Sequence, residues 1–252
     1  MSKKILFISN HASFFCSHRM NIFREAKKRN IKFKLVFGNA ASKSMDFFAI
    51  KKLKKEKVSF LKLDYSHNSI NLFKDTKSIF KIKKMVNLYR PTIIHSASPK
   101  ANLISSIISK ITKTDKLVLS ISGLGYLFTN QKKFFFSSLK SNIYLLILKF
   151  CIKNQNKKII VQNKKDYKFI KFKLNLKRKE IFLIKGGSGV NLSEFENLKK
   201  NQTKNISMIS RIVSNKGVKE YLKSAEILKT KFPNWNFILL GSKDYKSPDQ
   251  ID

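Results

Sequence analysis

The sequence is poor in acidic residues, in cysteine and in long apolar runs. Only 15 Asp and Glu oppose 53 Lys and Arg, which leaves a formal net charge of +38 over 252 residues. Two cysteines, Cys16 and Cys151, stand far apart and form no CxxC or Cys/His spacing, which argues against a disulfide framework or a zinc site and favours a reducing cytoplasm. The most apolar run, Ile143 to Ile152, is about half the length that spans a bilayer and is broken by Lys149, so no transmembrane helix is predicted.

The amino terminus gives no sign of export. MSKKILFISN leads directly into a strand-like stretch, without the long apolar segment and small-residue cleavage site of a signal peptide, so we expect no secretion. The charge of +38 predicts a strong field towards anionic partners, phosphate in particular. The alternative is a bias of composition, because Lys, Asn, Ile and Phe are abundant together, and such a bias would spread the charge evenly over solvated faces.

Short β-branched or aromatic runs alternate with longer amphipathic stretches. That alternation is typical of βαβ units and of a parallel sheet. The predicted strands are ILFIS from Ile5, KFKLVF from Lys32, VSFLKLDY from Val58, TIIHSA from Thr92, KLVLSIS from Lys116, KKIIVQ from Lys157 and EIFLIK from Glu180. The fold class predicted from this order is α/β, with a first doubly wound, Rossmann-like domain.

Two of the intervening helices have apolar positions at helical spacing. Ser98 is a suitable N-cap and Pro99 a suitable first residue for the helix PKANLISSIISKI. The residues predicted to face the sheet are Leu103, Ile107, Ile108 and Ile111 in this helix, and Leu72, Phe73, Ile79, Phe80 and Val86 in the helix before it.

A polar stretch from Asn197 to Asn205 lacks apolar periodicity and predicts a domain boundary. We expect a first domain at residues 1–198, a linker at 199–205 and the incomplete start of a second Rossmann-like domain at 206–252. Beyond the linker the pattern restarts with the strand ISMIS, the helix VKEYLKSAEILKTKF and the strand WNFILLG. On its own this second stretch is too short to fold without staples or metals.

Arg211, Lys216 and Gly217 lie between the first strand and the helix of that second domain. Ligands of open α/β sheets bind outside the carboxyl ends of strands, and a helix start adds backbone N–H groups and positive dipole. The segment therefore predicts a diphosphate site, where cations would stabilise charge that grows on a leaving group. In a chain this basic, the alternative is two ordinary solvated side chains.

The string SRxxxxKG, followed by an amphipathic helix and a strand ending in glycine, resembles the donor-phosphate segment of family-4 glycosyltransferases, whose GT-B architecture has two Rossmann-like domains. Four other segments resemble bacterial members that extend undecaprenyl-diphosphate-linked sugars: SNHASFFCSHR, HSASPKAN, SGLGYLF and IKGGSGVNLSEF. The resemblance implies that Arg211 and Lys216 contact the donor diphosphate. It also implies a retaining transfer of a sugar, N-acetylhexosamine being the first expectation, from a UDP-sugar to a lipid-linked saccharide acceptor.

The same segments supply further candidates in the first, acceptor domain. Gly123 and Gly125 predict a tight loop at the carboxyl edge of the sheet, or an ordinary βα turn. Gly187 and Gly189 predict a loop that binds through backbone N–H groups or serves as a hinge. The acceptor candidates are His18, Arg19, His95 and Lys100; of these, His95 could act as a base or sugar ligand or be a satisfied structural residue.

The resemblance also implies what is missing. Family members carry two glutamates spaced by seven residues further along the second domain, and Glu194, Glu196, Glu220 and Glu226 do not match that context. We therefore expect a carboxyl-terminally truncated chain with no assignable catalytic carboxylate, no metal and no cofactor besides the nucleotide-sugar co-substrate. An inactive fragment that binds only acceptor or membrane is the alternative, followed by a basic nucleic-acid-binding protein; no recognised nucleic-acid motif is present, so we expect no nucleic-acid partner.

A lipid-linked acceptor implies work at the inner face of the cytoplasmic membrane. The stretch from Lys132 to Lys158 combines aromatic and aliphatic residues with lysine-rich flanks, which is typical of an interfacial helix on an anionic membrane surface. The alternative is a helix buried against the sheet.

Overall fold

The computed structural model describes residues 3–40, 42–66, 72–123, 135–184, 186–192, 203–241 and 251, with backbone only at 72, 135–138 and 140. The chain divides into two compact units, Met1–Leu192 and Ser193–Asp252. Most of the predicted boundary region lies at residues 193–202, outside the described residues. Asn205, the last residue of the predicted linker, already belongs to a strand.

The first unit is built on one seven-stranded sheet in which every neighbouring pair is parallel. Its strands are β1 (Lys4–His11), β2 (Lys32–Asn39), β3 (Phe60–Ser66), β4 (Ile93–Ala97), β5 (Lys116–Ile121), β6 (Lys157–Val161) and β7 (Ile181–Leu183). Their order across the sheet is β3-β2-β1-β4-β5-β6-β7. The predicted α/β class and parallel sheet are confirmed.

Helices cover the sheet on two faces. In the described part of this unit they are α1 (Ala12–His18), α2 (Met20–Lys28), α3 (Lys43–Lys55), α4 (Leu72–Tyr89), α5 (Pro99–Thr112), α6 (Phe135–Ile152) and α7 (Lys164–Lys173). Successive strand residues point to opposite faces, so Phe7 packs with α1, α2 and α3, whereas Leu6 and Ile8 pack with α4, α5, α6 and α7. Both faces have a buried apolar core.

The buried sides of α4 and α5 agree with the prediction only in part, because Val86 and Ile108 are buried as predicted but other predicted residues are not. In α4, Ile82 and Val86 are buried, but Phe73 and Phe80 are 79% and 70% exposed. In α5, the buried residues include Ile104 and Ile108 together with the small Ala101 and Ser105, while Ile111 is exposed and Leu103 and Ile107 are half-buried. Small side chains therefore share the sheet-facing side with two isoleucines.

The second unit is far smaller in its described part. It contains β8 (Asn205–Ile209) and β9 (Asn236–Leu240), which pair in parallel, and α8 (Val218–Lys231) between them. Val213 and Val218 are buried, and the Tyr221 hydroxyl hydrogen-bonds the carbonyl oxygens of both strands, at Ile206 and Ile238. The predicted strand–helix–strand order is therefore present.

Candidate functional site

The strand order of the first unit reverses at β1 and β4. From β1 the chain winds outwards through β2 and β3, then returns to β4 on the other side of β1. In open α/β sheets, ligands bind at the carboxyl ends of strands beside such a reversal. Arg19 follows β1 and α1, Ser98 follows β4, and Ser122 follows β5, so all three lie at this end of the sheet.

Arg19 is a buried cation held by neutral groups. Its side chain is only 4% exposed; Nη1 donates to Ser188 Oγ at 2.5 Å and to the His18 carbonyl oxygen at 2.9 Å, and Nη2 donates to Ser122 Oγ at 2.6 Å. Its Nε is buried and has no hydrogen-bond acceptor among the described residues. No carboxylate that the structure describes forms an ion pair with it. Burial lowers the pKa of this guanidinium, yet Arg remains charged in proteins.

Two histidines lie near Arg19 and are held neutral. Desolvation first, and then the positive charge of Arg19, lower the pKa of His95 to about 3, and the same two causes lower the pKa of His18. His95 lies within β4, where Nε2 is 2.9 Å from Ser120 Oγ and the ring contacts Phe7. His18 is exposed and packs edge-on against Phe14. So low a pKa makes His95 a weak base, which favours a positioning role over general base catalysis.

Lys100, the remaining acceptor candidate, is engaged within the protein. Its Nζ donates to the Ser66 carbonyl oxygen at 2.8 Å and forms an ion pair with Asp75 Oδ1 at 2.7 Å. It also lies 5.9 Å from the centre of the Tyr65 ring. These contacts join α5 to β3 and α4, so an anion would have to compete with Asp75 for this ammonium group.

An apolar cavity of about 100 Å³ opens at the same end of the sheet. Its apolar wall is formed by Phe14, Pro99, Ile121, Tyr144 and Ile170. Gly123 and Ser122 also line it, and Ser122 accepts a hydrogen bond from Arg19. Its polar groups are already paired: Asn102 accepts from Ser96 Oγ and donates to the Ser120 carbonyl oxygen, and the Tyr144 hydroxyl donates to the Pro99 carbonyl oxygen. The cavity therefore presents mainly apolar surface.

The glycine loop after β7 is attached to Arg19 through one serine. Gly186, Gly187 and Gly189 all have positive φ, at 85°, 76° and 70°, a conformation that favours glycine. Ser188 between them accepts from Arg19 and, at 3.0 Å, from Gln162 Nε2. Gly123 is exposed at the end of β5, and Gly125 lies outside the described residues.

The second unit brings Arg211, Lys216 and Gly217 into one turn. The Arg211 carbonyl oxygen accepts from Val213 N–H, and the Val213 carbonyl oxygen accepts from Lys216 N–H. Both cations are exposed, just beyond the carboxyl end of β8. Gly217 has a φ of 78° and begins α8, so it supplies the left-handed residue that the turn requires. This geometry is compatible with the predicted diphosphate site, whose ligand stays a prediction.

Sequence reasoning did not find several residues around Arg19. Ser122, Ser188 and Phe14 lie in segments that carry the family resemblance, but nothing in the sequence distinguishes them from their neighbours, and Gln162 ends a predicted strand. Ser98, proposed as an N-cap, has a φ of 89° and makes no side-chain hydrogen bond to the helix; its hydroxyl contacts the Ala97 carbonyl oxygen instead. The contacts of Arg19 with Ser122 and Ser188 join distant parts of the sequence, so no local sequence pattern predicts them.

Helix α6 is buried against the core on one side and exposes apolar residues on the other; binding to a membrane stays a prediction. Leu145, Leu148 and Ile152 are buried in the core. The opposite face exposes five apolar side chains at helical spacing: Leu139, Ile143, Leu146, Ile147 and Phe150. Within the described part of the chain, no helix has both the length and the apolar character needed to cross a bilayer. Nor is any group of three or more His, Cys, Asp or Glu residues there arranged to hold a metal ion.

Solved structures share the fold of this chain. A glycosyltransferase from Rickettsia africae aligns over 98% of this chain and 62% of its own, with a TM-score of 0.64 and 19% identity. Anabaena HepE in complex with UDP and glucose aligns over 96% of this chain and 62% of its own, with a TM-score of 0.63 and 14% identity. At these identities the likeness concerns the fold alone.

Two curated proteins are similar in sequence. One is the N,N'-diacetylbacillosaminyl-diphospho-undecaprenol alpha-1,3-N-acetylgalactosaminyltransferase of Campylobacter jejuni, 28% identical over 198 residues. The other is the capsular polysaccharide biosynthesis glycosyltransferase CapM of Staphylococcus aureus, 28% identical over 196 residues. The matches cover 72% and 73% of this chain, which spans about half the length of each relative. The sequence model described as glycosyl transferase 4-like matches residues 4–164, more than half of the chain, and the chain therefore belongs to that family.

Proposed function

We propose that this chain is part of a glycosyltransferase that moves a sugar from a UDP-sugar to a lipid-linked saccharide. N-acetylhexosamine is the proposed sugar, and undecaprenyl diphosphate is the proposed lipid carrier. The Campylobacter relative is named for the transfer of N-acetylgalactosamine to a sugar linked to diphospho-undecaprenol, and the Anabaena structure contains UDP and glucose. The observation that carries the donor half is the turn in which the two exposed cations, Arg211 and Lys216, meet the start of α8.

The proposed chemistry follows from charge. Breaking the bond between sugar and UDP leaves a negative charge on the diphosphate, and a fixed Arg, a fixed Lys and helix N–H groups stabilise that charge most when they are already in position. Glu220 lies in the first turn of α8 and is also exposed, so it opposes an anion there. Retention of the anomeric configuration is part of the proposal, and the anomer of the product tests it.

UDP titration calorimetry tests the donor half directly. We expect Arg211→Ala and Lys216→Ala each to weaken UDP binding by about tenfold or more, because each removes a charge-assisted hydrogen bond. Lys223→Ala is the matched control, since this exposed lysine lies further along α8. Unchanged UDP affinity in both site variants contradicts the assigned roles.

A transfer assay tests the whole reaction. The chain is incubated with UDP-N-acetylhexosamine and an undecaprenyl-diphosphate saccharide, and the extended lipid product is separated and measured. Product formation that Arg211→Ala abolishes supports transfer. UDP or acceptor binding without any product supports the alternative, a binding fragment.

We further propose that the protein works at the cytoplasmic face of the membrane, with the exposed side of α6 on the lipid. Leu146 and Phe150 are 66% and 65% exposed on this side. The Lys110 ammonium lies 4.4 Å from the Phe150 ring centre, and Lys149 and Lys153 are exposed nearby. Apolar side chains beside lysines fit an interface in which the former enter the acyl boundary and the latter meet anionic headgroups.

Flotation with vesicles of phosphatidylglycerol and phosphatidylethanolamine tests this surface. The double variant Leu146→Ser, Phe150→Ser removes two apolar contacts and is expected to bind at least about tenfold more weakly. The control, Phe47→Ser with Phe48→Ser, removes two exposed aromatics from α3 on the opposite face of the sheet. Equal losses of vesicle binding in both double variants would show non-specific hydrophobic association and refute a specific membrane-binding face.

A further inference from the structure

We propose that Arg19, with Ser122 and Ser188, binds the diphosphate of the lipid-linked acceptor, and that the adjoining apolar cavity accepts the first carbons of its prenyl chain. This rests on the proposed function, because it names the part of the acceptor that this end of the sheet recognises. It adds three residues, Ser122, Ser188 and Phe14, to which no role has been given.

Arg19 carries a buried charge that no described carboxylate balances. A guanidinium that is 4% exposed has lost most of its water, and no described carboxylate compensates it. Burial of an unpaired charge is costly, so proteins retain such a group where a ligand supplies the counter-charge. Burial and the charge of Arg19 lower the pKa of both His18 and His95, which favours their neutral forms and leaves Arg19 as the main cation of this cluster.

The N–H groups of the Arg19 guanidinium are arranged as a phosphate group would require. Ser122 Oγ and Ser188 Oγ accept from two different guanidinium nitrogens at 2.6 and 2.5 Å, which is how two oxygens of a phosphate group would be held. Nε has a donor to spare. Ser188 is exposed on its glycine loop, so a phosphate oxygen can take the place of its hydroxyl on Nη1, and the freed hydroxyl can then donate to that phosphate.

The apolar cavity beside Arg19 favours a lipid-linked acceptor over a UDP-sugar donor as the ligand of this site. Phe14 and Ser122 line the apolar cavity and also contact Arg19, the Phe14 ring centre lying 5.4 Å from the guanidinium carbon. A ligand that fits both parts carries an apolar group directly beside its diphosphate. A prenyl diphosphate has that arrangement, whereas the diphosphate of UDP is flanked by ribose.

Calorimetric titration with geranyl diphosphate and with inorganic pyrophosphate tests the site on the full chain carrying Arg211→Ala, in which the proposed donor diphosphate site is weakened. Arg19→Gln is expected to weaken both probes by about tenfold or more, because it removes the ionic partner. Arg29→Gln is the matched control for net charge, since Arg29 is largely exposed and paired with Glu25 on α2. Equal weakening in both variants, or none in Arg19→Gln, overturns the proposal.

A second variant guards against misfolding of Arg19→Gln, which circular dichroism would reveal. A Cβ at Gly123 meets no described atom within 4 Å, so Gly123→Phe should fold; because Gly123 lines the cavity, the substitution adds an aromatic ring at its rim. It is expected to weaken geranyl diphosphate by about tenfold while pyrophosphate stays within about twofold, with Gly123→Ala as control. Unchanged geranyl diphosphate affinity in Gly123→Phe removes the cavity from the proposal.

UDP titration distinguishes this inference from the proposed function. Arg19→Gln should leave UDP affinity within about twofold of the parent chain, because UDP is assigned to the second unit. If Arg19→Gln weakens UDP as much as geranyl diphosphate, the acceptor assignment is wrong. If UDP binding depends on Arg211 while neither probe depends on Arg19, this inference fails and the donor half of the proposed function stands.

Discussion

The two cation sites of this chain are held in opposite ways. Arg19 in the first unit is buried and fixed by serine hydroxyls from after β5 and after β7. Arg211 and Lys216 in the second unit are exposed on one turn, next to a two-stranded sheet. A site assembled from distant segments depends on the packing of its whole domain, whereas a site on one turn depends on local backbone bonds. Substitutions in the two units can test that difference.

The largest contrast is expected in the packing of matched leucines. Leu119 in β5 is fully buried between neighbouring strands and helices, and Leu240 in β9 is 51% exposed. Leu119→Ala should lower the free energy of unfolding by about 2–5 kcal/mol, because it leaves a cavity in a closed core. Leu240→Ala should cost less than about 1 kcal/mol. Urea unfolding followed by circular dichroism measures both; similar losses would contradict the expectation that the half-exposed leucine of β9 contributes less to stability than the buried leucine of β5.

A smaller contrast is expected at two glycines where the backbone approaches a neighbour. A Cβ at Gly38 in β2 would lie 2.2 Å from the Tyr65 carbonyl oxygen, and one at Gly241 would lie 1.8 Å from the Ser210 carbonyl oxygen. Gly38→Ala should destabilise the first unit by about 1–3 kcal/mol, because β2 and β3 must move apart.

Gly241→Ala acts on the other site. It pushes on Ser210, the neighbour of Arg211, so it should weaken UDP binding by about threefold or more while leaving the affinity for geranyl diphosphate unchanged. Thermal unfolding and the two titrations report both glycines. A loss of UDP affinity in Gly38→Ala equal to that in Gly241→Ala would mean that the two sites are not independent.

These contrasts also explain what the sequence could predict. The strands were found because each is a short run of β-branched or aromatic residues, and the turn at Arg211 was found because its residues are adjacent in sequence. The partners of Arg19 lie 103 and 169 residues away, so only the fold brings them together. The buried faces of α4 and α5 are predicted only in part: Val86 and Ile108 are buried as expected. The prediction is wrong for Phe73 and Phe80, which are exposed, and it leaves out the small Ala101 and Ser105, which are buried. Much of a protein surface is apolar, so size and hydrophobicity do not identify the buried side.

The smallest expected contrast concerns salt. Raising the ionic strength from 0.1 to 1 M shortens the screening length from about 10 Å to about 3 Å, which weakens exposed charges more than buried ones. The fold loss in UDP affinity at Arg211 and Lys216 should therefore be about three times the fold loss in geranyl diphosphate affinity at Arg19. Inorganic pyrophosphate titrated into the Arg211→Ala variant is the control, because it has no apolar chain whose burial salt would strengthen. Equal salt sensitivity of UDP and of pyrophosphate in that variant would mean that water reaches Arg19 as freely as Arg211, and the contrast between a buried and an exposed cation would not govern binding.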